Sequence, residues 1–152
     1  MWPSRMSLRS AFWLVLLLLV IGCGPYDPKS GPDLSRCYQA EFGTLPPPGI
    51  TVLNARQVVI RDWGAQWLKI QASSNLIDSV ILKSFTKDSH PPQRFARVKE
   101  RYTPDWWVLP PRNELEYYTC DQWTRGTFHS SSAGIAVHRS TGVIYFRCDR
   151  VD

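Results

Sequence analysis

From residue 50 onward, apolar and polar positions alternate along the chain. Ile50, Val52, Val58 and Ile60 share one parity and are expected on one face of a strand, and 67–71 alternates in the same way. Asp62-Trp63-Gly64-Ala65 reads as the turn of a hairpin between them. At Asn75 the period lengthens: Ile77, Ile81 and Phe85 recur every four residues, with Val80 beside them. Asn75 is placed as N-cap and Asp78 as the acidic residue of the first turn, which predicts a helix of about three turns. Pro91-Pro92 opens a second, shorter helical pattern, with Phe95, Val98 and Tyr102 on one side and Arg94, Arg97 and Arg101 on the other, and Pro104 stops it. Strands are expected over 115–120, 134–138 and 143–147, the last two flanking Ser140-Thr141-Gly142 with Gly142 in the left-handed position. The order ββααβββ predicts an α+β fold, an antiparallel sheet of about five strands with the helices on one face.

Ahead of this region the pattern is different. Arg5 and Arg9 precede an unbroken apolar run over 11–21, which ends in Gly22-Cys23. As a helix the run spans about 17 Å, short of the roughly 30 Å of a bilayer core, and so reads as a removable signal. Either Met1 or Met6 can start it. Val20-Ile21-Gly22-Cys23 resembles the lipobox of bacterial lipoproteins, with Val where Leu is usual. The resemblance covers the first 23 residues only. It implies diacylglycerol transfer to Cys23, cleavage between Gly22 and Cys23, acylation of the new N-terminus, and residence on the periplasmic side of the cell envelope. Gly24 in place of Asp after the cysteine leans toward the outer membrane. The expected organisation is signal peptide over 1–22, a Gly/Pro-rich tether over 23–36 (GPYDPKSGPDLSR after the cysteine) and one globular domain over 37–152.

Composition narrows the chemistry. Setting Arg5 and Arg9 aside, the mature chain carries 16 basic and 13 acidic residues, a surplus too small to indicate a nucleic-acid partner. The mature chain's five tryptophans are many for its length. With Cys23 lipidated, Cys37, Cys120 and Cys148 remain as one pair and one free thiol. In a simple three-strand meander at the C-terminus, Cys120 and Cys148 are two strand spacings apart, about 9.5 Å, too far to bridge, which favours a pair with Cys37; with the first and third of these strands as neighbours, Cys120–Cys148 becomes possible. No cysteines or histidines fall at ligand spacing, so neither a metal nor a cofactor is expected.

Two surfaces are candidates for binding: Trp106-Trp107 with Tyr102, and the arginines Arg94, Arg97 and Arg101. An extended backbone would send the adjacent tryptophans to opposite sides, leaving one free to stack on a sugar ring or anchor a partner. The alternative is that both cover a core edge. His129-Ser130-Ser131-Ser132 lacks the surroundings of a nucleophile elbow and reads as a serine-rich turn. The function expected is a lipid-anchored, non-enzymatic module that binds an envelope protein or cell-wall glycan. Its rivals are a small hydrolase using His129 or His138 and a structural subunit of an envelope complex.

Overall fold

The computed structural model describes residues 24–61, 63–96, 101–123 and 130–151. One antiparallel sheet organises them. Its six strands are β1 (Ile50–Ile60), β2 (Trp63–Ala72), β3 (Thr86–Asp88), β4 (Glu116–Cys120), β5 (Ser130–His138) and β6 (Val143–Val151). They lie in the order β1-β2-β6-β5-β4-β3. The class is the expected α+β with an antiparallel sheet. The sixth strand is β3, whose three residues are too few to show an alternation.

The sheet is covered on both sides. On one side lie α1 (Gly31–Phe42) and a helical stretch that starts as α2 (Ser74–Leu76) and continues as a π turn over Ile77–Ile81 and a 3₁₀ turn over Leu82–Ser84. Tyr38, Leu68, Ile70, Ile77, Ile81, Ile135, Ile144 and Phe146 form the main core there. On the other side the described part of the covering layer is largely irregular chain that includes α3 (Gln93–Ala96) and a 3₁₀ turn over Arg112–Glu114. Phe95, Trp107 and Leu109 pack on Tyr117, Ala136 and Tyr145, while Tyr102 and Trp106 pack on Val58, Ala65 and Trp67. The second helical pattern therefore sits opposite the first, not on the same face.

Four further expectations change, each for a local reason. Ile50 and Val58 share a parity but not a face, because the register slips by one residue between Val52 and Asn54. This bulge leaves Ile50 and Val52 in the main core and turns Val58 and Ile60 to the opposite side. The hairpin turn is tighter than 62–65, since Ile60 already pairs with Trp63 and Arg61 adopts φ 49. Asn75 is inside α2, with Ser73 in the cap position, and its carbonyl accepts from Ser79 Oγ at 2.6 Å. Ser130, Ser131 and Ser132 belong to β5 and not to a turn, whereas His129 lies outside the described residues.

The largest difference is at the N-terminal side. The segment 24–36 is not a free tether, because α1 begins at Gly31. Ser30 caps it by accepting from the Asp33 N–H at 3.3 Å, Pro32 occupies its first turn where no N–H is needed, and Gly43 at φ 80 closes it. Gly142 is left-handed as expected, at φ 68, and any Cβ there would meet the Ala72 carbonyl oxygen at 2.3 Å.

α1 carries a carboxylate into the core. Glu41 is fully buried, accepts from Trp123 Nε1 at 2.9 Å and pairs with the Arg150 guanidinium from β6. Burial pushes its carboxyl above the usual range against the opposing pull of Arg150 and Trp123. Beside it, Gln66 Nε2 donates to the Cys37 carbonyl at 3.0 Å, a second polar tie between α1 and the sheet. Removing the carboxylate strands a buried cation, so Glu41→Ala is expected to lower stability by about 3–5 kcal/mol in urea unfolding. Replacing Glu41 and Arg150 together with methionines is expected to cost far less.

A second charged cluster joins the β5–β6 turn to β4. Arg139 donates through Nε to Glu116 at 2.8 Å and through Nη2 to Asp78 at 2.8 Å, while Lys87 and Tyr118 also donate to Glu116. These bonds, that from Arg139 foremost, hold the Glu116 carboxyl at about 2. A depressed carboxyl stabilises the fold above its ordinary range and loses that contribution as pH falls toward 2. The urea midpoint is therefore expected to drop between pH 5 and pH 2, and to drop less in Glu116→Gln.

Candidate functional site

Among the described residues, an open groove of about 830 Å³ lies between the irregular layer and the β3–β4 edge. Trp63 and Tyr102 form one wall, with ring centroids 6.1 Å apart, and Arg101 lies over Tyr102 at 5.4 Å. Asp88, Thr119 and Asp121 form the opposite wall, and Pro92 and Gln93 close one side. Arg147 and Asp149, on β6, supply polar groups to its floor.

The ladder explains the hollow. Gly134 pairs with Arg147 on one side and Thr119 on the other, so the middle position of that row brings no side chain to the face. Arg147, almost buried, spans the space. Its guanidinium lies 5.3 Å from the Trp67 ring, its partner across β2, and donates from Nε and Nη2 to Asp149 Oδ1 at 3.1 and 2.9 Å. Stacking and the carboxylate hold a planar donor in one orientation, which is how a recognition site fixes a polar group before ligand arrives. Aromatic faces opposite carboxylates and a guanidinium can hold a flat ligand rich in hydroxyl or amide groups.

Of the residues expected to bind, Tyr102 and Arg101 line this groove. Trp106 and Trp107 stand beside it. Their segment is a turn and not extended, with Trp107 N–H donating to Pro104 O at 3.0 Å, so both rings fold onto the same side of the sheet. They meet edge to face at 5.9 Å, and Trp107 does the same with Tyr145 at 5.5 Å. Both are part-buried, so the core-covering role accounts for both. Arg94 lies in α3, and its side chain, like the whole of Arg97, is outside the described residues. Sequence reasoning missed Trp63, Asp88, Asp121, Arg147 and Asp149; the signal available for the last two was a charged pair at i, i+2 on one face of β6, next to the apolar Val143 and Tyr145.

The cysteines lie away from the groove. Cys120 and Cys148 flank Ala133 in the ladder, two strand spacings or about 9.5 Å apart, and Cys37 and Cys148 share the main core. All three are thiols. Burial raises the Cys37 thiol and pushes Cys148 up to about 12, the reverse of what a reactive thiolate needs.

His138, at the far end of β5, has a third arrangement. Its Nδ1 is 2.7 Å from Thr141 Oγ1, and its Nε2 is 3.2 Å from both Glu114 Oε2 and Ser140 Oγ. Among the described residues no group of three ligating side chains could hold a metal ion, and no helix is long and apolar enough to cross a membrane. No protein-family model, curated protein or solved structure shows a significant match to the chain.

Proposed function

We propose that this chain is a lipid-anchored protein of the bacterial cell envelope whose domain binds cell-wall glycan without transforming it. The lipobox-like Val20-Ile21-Gly22-Cys23 supports the anchor. The groove supports the ligand class, and one observation carries it: the Trp63–Tyr102 wall faces Asp88 and Asp121 across a floor holding Arg147 and Asp149. Sugar rings offer apolar C–H faces to aromatic side chains and rims of hydroxyls to carboxylates and guanidinium groups. The test uses the chain from Gly24 onward, titrated with soluble cell-wall oligosaccharides and sedimented with purified sacculi. Saturable binding is expected, weakened about tenfold by Tyr102→Ala and by Asp149→Asn, equivalent to about 1.4 kcal/mol each. Binding by wild type that neither substitution changes would remove the groove from the account. Capture of an envelope protein in place of glycan would move the reading to an assembly module.

The hydrolase reading keeps one supporting observation, the hydroxyl–imidazole–carboxylate line of Thr141, His138 and Glu114. The same contacts are those of a hairpin turn tied to its own strand, for Thr141 Oγ1 also donates to the His138 carbonyl at 3.3 Å. The binding reading expects His138→Ala to leave glycan affinity unchanged. It also expects Thr141 to resist a serine-directed phosphonate reagent, as checked by intact mass; labelling lost in His138→Ala would favour the hydrolase.

A further inference from the structure

The residues that follow Cys23 do not hang from the domain; they are fastened to it. Tyr26 and Gln57 exchange both backbone hydrogen bonds, 2.8 Å from Tyr26 N to Gln57 O and 2.9 Å from Gln57 N to Tyr26 O. One residue on, Asp27 takes both forks of the Arg56 guanidinium, from Nε at 2.6 Å and Nη2 at 2.5 Å. A bidentate pair beside a two-bond bridge is a specific attachment, and it sits in the middle of β1, the outer strand at one edge of the sheet. Arg56 is also the link to the groove, since its Nη1 donates to the Tyr102 carbonyl at 3.3 Å.

The consequence follows from chain length. Only Gly24 and Pro25 separate Cys23 from Tyr26, and the three Cα–Cα steps of an extended chain cover at most about 3.5 Å each, or roughly 10 Å. A free tether of 13 residues would allow roughly 40 Å. We propose that the β1 edge is the membrane-apposed face of the domain, held against phospholipid headgroups by the Tyr26–Gln57 and Asp27–Arg56 clasp. This rests on the reading of Cys23 as the lipidated residue. The exposed side chains agree with that orientation: Tyr26, Leu53 and Val59, exposed to 50%, 39% and 40%, all lie on this edge, and Arg61 is exposed at the end of β1. Aromatic and aliphatic side chains among basic ones suit the headgroup zone, but three such residues are too little apolar area to adhere alone. The short leash does the holding. The groove then opens beside the bilayer, with Tyr102 on its membrane-proximal wall, and its ligand is one that can be reached at that surface.

The experiment separates the clasp from the anchor. The full chain is matured in a bacterium, its Cys23 modification is read by intact mass, and it is reconstituted in vesicles carrying a headgroup acceptor dye. A donor dye is placed on Ser84→Cys in a Cys120→Ser background; Ser84 is exposed beside β3, at the opposite edge of a sheet roughly 24 Å wide. Twenty Gly/Ser residues, roughly 25 Å in mean reach, are inserted either after Gly24 or after Lys29. The first insertion lies between lipid and clasp and is expected to lower energy transfer clearly. The second lies between clasp and α1 and is expected to leave transfer at the parent value. Equal losses from both would overturn the clasp, because a free tether does not distinguish the two positions. No loss from either would also overturn it, showing that some surface of the domain adheres by itself. A mature chain without diacylglycerol on Cys23 would instead overturn the anchored reading, whatever the insertions did.

Discussion

The strands at the middle of this sheet have to be dry on both faces, and most of the molecule answers to that constraint. Along β6, Ile144, Phe146 and Cys148 are buried beneath the helical side, while Tyr145 and Arg147 are buried beneath the other. A sheet of this kind needs two covers. The first is supplied by α1 and the helical turns after β2, with regular spacing and ordinary aliphatic packing. The second is irregular chain between β3 and β4, and it relies on large flat rings. Few regular elements but many aromatic residues is what such a cover requires, because each ring removes much area from water without needing a helix to carry it. The groove lies beside that second cover, over a row with a glycine at its centre.

Polar residues enter both interiors on terms set by geometry. Glu41 is tolerated because Arg150 and Trp123 reach it in the same buried space. Arg147 is tolerated because its flat guanidinium lies on Trp67 and its N–H groups reach Asp149. The two arginines are three residues apart on one strand, hence on opposite faces. One fastens a helix to the sheet and the other lines the groove, so alternate positions of β6 serve opposite sides of the sheet.

Much of this was legible in the sequence. Hairpin strands, the i, i+4 spacing of Ile77 and Ile81 and the left-handed Gly142 each report a local preference that the tertiary structure keeps. α1 was hidden by composition. The prolines and glycines of 24–36 read as tether, although Ser30-x-x-Asp33, the Leu34/Cys37/Tyr38/Phe42 spacing and Gly43 form a capped amphipathic pattern. Pro32 fits this helix because proline breaks helices only beyond the first turn. Of the groove, Tyr102 and Arg101 could be singled out from their own segment. Trp63 could not be joined to the Arg147/Asp149 pair, because β2 and β6 meet only through pairing of strands far apart in sequence.

The bulge after Val52 has a further meaning for how this chain stores its information. It acts as a change of phase. Before it, even-numbered apolar residues speak to one layer; after it, even-numbered residues speak to the other. One strand thereby supplies both cores without breaking its own alternation, and the two covers are coupled through the length of a single segment. Losing or gaining one residue there would reassign Val58 and Ile60 as a block, although every residue retained would be unchanged. Identity in this stretch is therefore carried by the count of residues as much as by their kind.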